Sequence, residues 1–365
     1  MFEYFWIPAF AFAACAIAII CVRPLAVAAD LVDRPGGRKR HQGAIPLVGG
    51  IGITLALTLL TAAFVRPLGS YAAMLGGIFL LVMVGMMDDL RGVSPMIRLA
   101  VQFFAAILMT SWGGVYLYSL GDLLGHREIL LADWSIPLTL LAALAVVNAM
   151  NMSDGLDGLA GGLALFMFGW FAVIAGYLEN LMAQRICLIL CGAILGFLVF
   201  NLPHRLRNSR IRVFLGDAGS LALGYGIVWF AVQLSQGQYN EGRSAPPVVI
   251  LWVVGFLLID LLAVVMRRVI SGRNPLSADR THLHHVLLRM SSRPGLTVGF
   301  ILFSNVMLGL IGVAAWRAGV AESILFLAFL ALTVVHLCIM HNAARFLRRG
   351  RRWFGQRKSA AIGER

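Results

Sequence analysis

The chain has 365 residues, of which 60% are hydrophobic and 13% charged, with a mean hydropathy of +0.85. Soluble domains carry about a quarter charged residues, so this composition excludes an ordinary water-soluble fold. The formal net charge of +13 would suggest nucleic acid in a soluble protein, but in a membrane protein basic residues chiefly set orientation, and no nucleic-acid partner is expected.

Apolar stretches near the ~20 residues needed to cross a bilayer recur along the chain. The first, from Tyr4 to Ala29, has Glu3 in front and Arg23 behind, lacks the basic start of a secretory signal, and is expected to stay as a span. About eleven spans are predicted in all. They cover 4–27, 47–65, 70–87, 96–117, 134–150, 158–177, 182–200, 218–236, 246–266, 296–315 and 321–341. The expected fold is therefore all-α and polytopic. One integral membrane domain occupies 1–341 and a basic tail follows over 342–365. The five cysteines lie inside apolar stretches without C-x-x-C spacing and read as packing residues.

Charge fixes the expected orientation. With the N-terminus outside, inner loops collect Arg34, Arg38, Lys39 and Arg40, then Arg91 and Arg98, then Arg205 to Arg212, then Arg267 to Arg293, and finally the tail. The opposite side keeps Arg66, Arg127, Arg185, Arg243 and Arg317. The positive-inside rule then puts the N-terminus outside and the C-terminus on the cytoplasmic side. The tail reads as a surface anchor to anionic lipid.

On that orientation the inner side holds acids in tight groups at span ends. Asp88-Asp89 follows the third span, Asp154 and Asp157 the fifth, and Asp217 opens the eighth. Adjacent acids at a helix C-terminus repel each other and oppose the macrodipole, a cost that a nearby cation would relieve. Hard divalent cations take carboxylate, phosphate and water oxygens. The bland alternative pairs these acids with Arg91, Arg98 and their neighbours. In Asn148-Ala-Met-Asn-Met-Ser-Asp-Gly-Leu-Asp, a continued helix would align Asn148, Asn151, Asp154 and Asp157 on one stripe. In Phe214-Leu-Gly-Asp-Ala-Gly, Asp217 sits at a helix N-terminus, where donor N–H groups can also meet a phosphate.

Two basic segments complete the inner face. The loop Asp279-Arg-Thr-His-Leu-His-His285 contains Arg280, His282, His284 and His285 without a zinc pattern, and suits a pyrophosphate better than Zn²⁺. The run containing Arg38, Lys39 and His41 either holds a lipid phosphate or serves as orientation signal alone.

These inner-loop motifs, in this order and over nearly the whole chain, resemble the polyprenyl-phosphate N-acetylhexosamine-1-phosphate transferases. Within them the chain is most similar to the branch that initiates enterobacterial common antigen and O-antigen. The resemblance implies transfer from UDP-N-acetylglucosamine to undecaprenyl phosphate in the bilayer, releasing UMP, with Mg²⁺ or Mn²⁺. It implies that Asp217 binds the metal and Phe214 contacts the uracil. Asp88 and Asp89 would deprotonate the lipid phosphate or support the metal. Asn151, Asp154 and Asp157 would line the nucleotide and metal pocket, with Asn201 facing the uridine. Arg280, His282, His284 and His285 would clamp the diphosphate and sugar. The sequence departs from the related muramoyl-pentapeptide transferases, which carry three successive histidines and a Lys soon after the paired aspartates. Here His-Leu-His-His and Arg91 stand instead, favouring N-acetylglucosamine over the muramoyl peptide. A homodimer is left open. The competing classes are a transferase for another UDP-N-acetylhexosamine, a transporter or flippase with an acidic cation relay, and an intramembrane hydrolase. The last lacks both a zinc motif and a G-x-S-x-G elbow.

Overall fold

In hydrocarbon every backbone N–H and C=O must be satisfied within its own segment, so long apolar runs become helices. A computed structural model describes residues 3–34, 43–202, 211–237, 242–270, 272, 282–291 and 293–342. Its helices are α1 (Glu3–Ala28), α2 (Gly49–Phe64), α3 (Tyr71–Arg91), α4 (Pro95–Ser111), α5 (Ser135–Met152), α6 (Leu159–Tyr177) and α7 (Leu181–Asn201). They continue with α8 (Gly216–Ser235), α9 (Pro247–Val253), α10 (Gly255–Ile270), α11 (Leu283–Ser291), α12 (Pro294–Arg317) and α13 (Glu322–His341).

Among the described residues, 8 helices are long and apolar enough to cross a membrane, or 9 if α9 and α10 form one broken span. Each expected segment is occupied by a helix or by that pair, but α2 and α4 are short apolar helices of 16 and 17 residues. The protein is thus a membrane-embedded helical protein. Trp6, Phe79, Phe103, Phe303 and Leu327 are among the large apolar side chains left on its outside, as a lipid-facing surface requires.

Three expectations change. Segment 246–266 is not one straight span, because α9 and α10 meet at 77°. Val254 leaves the helical region there, and the ring of Phe329 lies only 2.8 Å from where a Cβ on Gly255 would stand. Such a break is tolerable at membrane depth because Val253, Val254 and Gly255 are buried in protein. Next, Asp88 and Asp89 do not follow the third span but occupy the last turn of α3. Finally, the all-α reading misses an antiparallel ribbon of β1 (Val32–Asp33) and β2 (Ile45–Pro46).

That ribbon has a mechanical reason. The Phe214 N–H donates to the Pro46 carbonyl, and the N–H groups of Gly49 and Gly50 donate to the carbonyls of Phe214 and Leu215, each at 2.9 Å. The chain entering α2 therefore runs against the chain entering α8. All of α8 except Asp217 is buried, and it packs against α2, α3, α5, α6 and α9. Its first turn is approached backbone to backbone. A Cβ on Gly85 would stand 2.3 Å from the Ala218 nitrogen, and one on Gly50 would stand 2.2 Å from the Gly219 Cα. Small residues at such crossings are what permit close packing without a hydrophobic drive between helices.

Gly85→Ala is expected to destabilise the protein by about 2 kcal/mol, since the obstructing atoms are backbone and cannot rotate away. Gly169→Ala on α6, where no heavy atom lies within 4 Å, should be neutral. Thermal midpoints of the two purified variants in detergent check the contrast.

Candidate active site

The end of α3, the start of α4, the end of α5 and the start of α8 converge at one end of the bundle. Asp88 accepts from the Val93 N–H at 2.6 Å through Oδ1, which secures the turn after α3, and from Arg98 Nη1 at 2.6 Å through Oδ2. The same Arg98 nitrogen reaches Asp217 Oδ2 at 3.2 Å. One guanidinium therefore bridges acids from α3 and α8. Asp217 Oδ1 accepts from Asn151 Nδ2 at 2.8 Å, and that amide also donates to Ser220 Oγ at 2.9 Å.

Asp89 faces the N-terminus of α8. Its Oδ1 accepts from the Asp217 N–H at 3.2 Å, so the positive end of the α8 macrodipole offsets some of the charge misplaced at the C-terminus of α3. Its Oδ2 is buried without a hydrogen-bond partner among the described residues.

The expected Asn148-to-Asp157 stripe is not continuous. α5 stops at Met152, and Gly158 enters α6 with φ +76°, a left-handed conformation that glycine adopts without strain. Asp154 and Asp157 thus lie on a turn. Asn148 diverges from Asn151, donating to Gln102 Oε1 at 2.6 Å and to the Leu144 carbonyl at 2.8 Å. Asp157 pairs with Arg212, whose guanidinium also lies 5.1 Å over the Phe214 ring. Asn201 is buried and spends its amide on backbone. Its Oδ1 accepts from the Gly158 N–H at 2.7 Å and its Nδ2 donates to the Val213 carbonyl at 3.1 Å. It ties the aspartate turn to the segment carrying Phe214.

The histidines meet this turn from the other side. A Cβ on Gly155 would stand 2.8 Å from His284 Nε2, which sets His284 directly against the turn carrying Asp154. His285 lies 4.1 Å from the His284 ring, and His282 stacks on His284 at 5.8 Å. Arg38, Lys39, His41 and Arg280 lie outside the described residues.

Burial, followed by the neighbouring His285 and His282, pushes the His284 imidazole down to about 4. It is therefore a neutral ring at physiological pH. The Asp154 side chain keeps access to water, but the protein packed around it, and then the charges of Asp217, Asp89 and Asp157, push its carboxyl up to about 7.

No group of three or more His, Cys, Asp or Glu among the described residues stands ready-made for a metal ion. The donors nevertheless suit a hard cation. Asp88, Asp89 and Asp217 bring carboxylate oxygens to one place, one of them buried and unpartnered, and the cation now between Asp88 and Asp217 is Arg98.

The bland alternative of an acid–arginine pairing holds for Arg98, whereas Arg212 and Ser220 join the site without having been singled out by motif reading. Arg98 does carry a local signal. It stands in the first turn of α4, where the macrodipole disfavours a cation, so it needs an anionic partner from elsewhere.

Residues 71–235 match the pattern of glycosyl transferase family 4. An undecaprenyl-phosphate alpha-N-acetylglucosaminyl 1-phosphate transferase of Yersinia pestis is 35% identical over 341 residues, 92% of this chain and 91% of that protein. Proteins of the same description from Escherichia coli strain K12 and Haemophilus influenzae are 34% and 33% identical, over 90% and 92% of this chain and 90% and 94% of their own.

Arg98→Gln should lower stability by about 2 kcal/mol, because it leaves the Asp88 and Asp217 carboxylates without their shared cation. Millimolar Mg²⁺ should recover part of that loss, as thermal melts with and without the ion would record. A second expectation concerns pH. With its pKa depressed in the fold, His284 binds fewer protons there than in the unfolded chain, so its contribution to stability declines as pH falls from about 6.5 toward 4. The thermal midpoint of wild type should therefore drop more steeply over that range than that of His284→Gln.

Proposed function

The chain belongs to glycosyl transferase family 4, and on that premise we propose that it transfers N-acetylglucosamine 1-phosphate from UDP-N-acetylglucosamine to undecaprenyl phosphate. The products are undecaprenyl diphosphate N-acetylglucosamine and UMP, and the lipid product begins an O-antigen or common-antigen type of glycan. The observation that carries the reading is the convergence of Asp88, Asp89 and Asp217 from two helices, Arg98 bridging Asp88 and Asp217 while Asp89 accepts the Asp217 N–H.

In this reaction an oxygen of the lipid phosphate attacks the phosphorus bearing the sugar. The bond from that phosphorus to the bridging oxygen breaks, and UMP leaves. Negative charge accumulates on oxygen throughout, so the protein needs chiefly to position the reactants and neutralise them. When bound, Mg²⁺ or Mn²⁺ would supply charge neutralisation of the diphosphate, held by Asp217 with Asp89. Asn151 orients the Asp217 carboxylate through the 2.8 Å hydrogen bond. Asp88 and Asp89 accept or shield a proton of the lipid phosphate, whose second pKa is about 6 by analogy with phosphorylated side chains, so little base strength is required. Phe214, with Arg212 over its ring, suits a planar base and the phosphate next to it. His284 and His285, at the Asp154 turn, suit the diphosphate and sugar. A covalent route through Asp88 or Asp89 would instead give an isolable phospho-enzyme with the nucleotide sugar alone.

The orientation that fits this chemistry puts the site on the cytoplasmic face of the inner membrane, with the N-terminus in the periplasm. Its support is the gathering of Arg98, Arg212, Arg267, Arg268, Arg289 and Arg293 in the segments predicted to be cytoplasmic.

With labelled UDP-N-acetylglucosamine, undecaprenyl phosphate and Mg²⁺, the purified protein should form a lipid-linked product. Chelation should stop the reaction, and Mg²⁺ or Mn²⁺ should restore it. Asp217→Asn should accumulate normally but lose at least about 100-fold in rate. Absence of any lipid-linked product would sink the reading and leave the transporter class, while other UDP-sugars in the same assay measure donor choice.

A further inference from the structure

Asp260 is an acid in the middle of an otherwise apolar segment, and the reaction described above makes no use of it. Burying a carboxylate on a membrane helix is costly unless partners compensate, so its surroundings identify its task. Asp260 is 6% exposed, on the inward face of α10 with Ala263 and Val264. Its Oδ2 lies 2.9 Å from His282 Nδ1, and its Oδ1 accepts the Leu283 N–H at 2.9 Å, at the start of α11. His336 of α13 approaches Oδ1 at 4.0 Å.

This arrangement selects one form of His282. An ionised carboxylate can only accept, so Nδ1 carries the hydrogen, and the lone pair or second proton belongs to Nε2. Nε2 of His282 is buried without a hydrogen-bond partner among the described residues. The His282 ring lies nearly parallel to that of His284, at 13°, and His284 rests on Gly155 in the Asp154 turn. A chain of contacts thus leads from Asp260 through His282 and His284 to the aspartate turn.

We infer that Asp260 is a positioning residue for the transfer reaction: it holds His282 in the Nδ1–H form and sets the histidine stack against the Asp154 turn. The inference rests on the transferase reading for its kinetic consequence, and on geometry alone for the pairing. The competing interpretation makes Asp260 a mere staple between α10, α11 and α13.

Asp260→Asn separates the two. Its amide oxygen can still accept the Leu283 N–H and keep the staple, but its NH₂ faces Nδ1 and moves the imidazole hydrogen to Nε2. Removing such an orienting partner typically costs 10 to 100-fold, so kcat should fall by about that factor while the KM for UDP-N-acetylglucosamine changes less than about threefold. In a His282→Gln background the same substitution should cost nothing further, since residues that act through one another are not additive. An Asp260→Asn enzyme with wild-type kcat would overturn the inference, as would an additive loss in the double variant.

Should Asp260→Asn fail to accumulate, ¹⁵N spectra of histidine-labelled wild type at alkaline pH decide the matter. They should show His282 protonated at Nδ1, and an Nε2–H form would refute the pairing. A wild type that yields no lipid-linked product would instead overturn the transferase reading, and the spectra alone would then judge the Asp260–His282 pair.

Discussion

The architecture depends on how closely three backbones meet at the first turn of α8. Where Gly50 and Gly85 face Ala218 and Gly219 there is no room for a single additional methyl group. Because the helices touch without side chains between them, Asp89 on α3 can accept a hydrogen bond from the Asp217 backbone on α8. The same closeness lets Arg98 reach acids on both helices. Farther apart, each carboxylate would need its own counter-charge or a shell of water.

Close approach then creates an electrostatic problem that the surrounding groups share. Asp88 takes a backbone N–H and a guanidinium oxygen-to-nitrogen contact, Asp217 takes an amide and the same guanidinium, and Asp89 takes the positive end of a helix. The balance is incomplete, since one oxygen of Asp89 is buried and unpartnered among the described residues and the packed protein and neighbouring acids push the Asp154 carboxyl upward. A cluster with surplus acid on an aqueous rim is suited to recruit positive charge.

Much of this was legible in the residues, and what escaped did so for identifiable reasons. Apolar length marked the helical segments, and charge grouping singled out Asp88, Asp89 and Asp217, which the fold brings together. Hydropathy could not reveal the 77° break before α10, because the one residue between the two helices, Val254, is itself apolar. Helical spacing overran at Met152, where the glycine turn overrides a periodicity of three that Asn148, Asn151, Asp154 and Asp157 happen to share. Pairing of Arg98 with the acids is the bland alternative that the residues themselves offer, and it holds for Asp88, 10 residues away, but its second partner Asp217 and the Asp157 partner of Arg212 lie 119 and 55 residues away in the chain. Asp260 stands alone in an apolar segment, and the histidine that gives it meaning is contributed by a separate segment.

The Asn201 amide has a consequence for how this chain can vary. At the end of α7 it bonds the Val213 carbonyl across the basic stretch before Phe214 and is itself held by the Gly158 N–H, so both ends of that stretch are fixed. The entropy of closing a loop grows only logarithmically with its length, about 0.6 kcal/mol per doubling. The tie therefore holds Val213, and with it the neighbouring Phe214, whatever the length of chain before Arg212, whereas Arg212 itself stays bound to the site through Asp157 and the Phe214 ring.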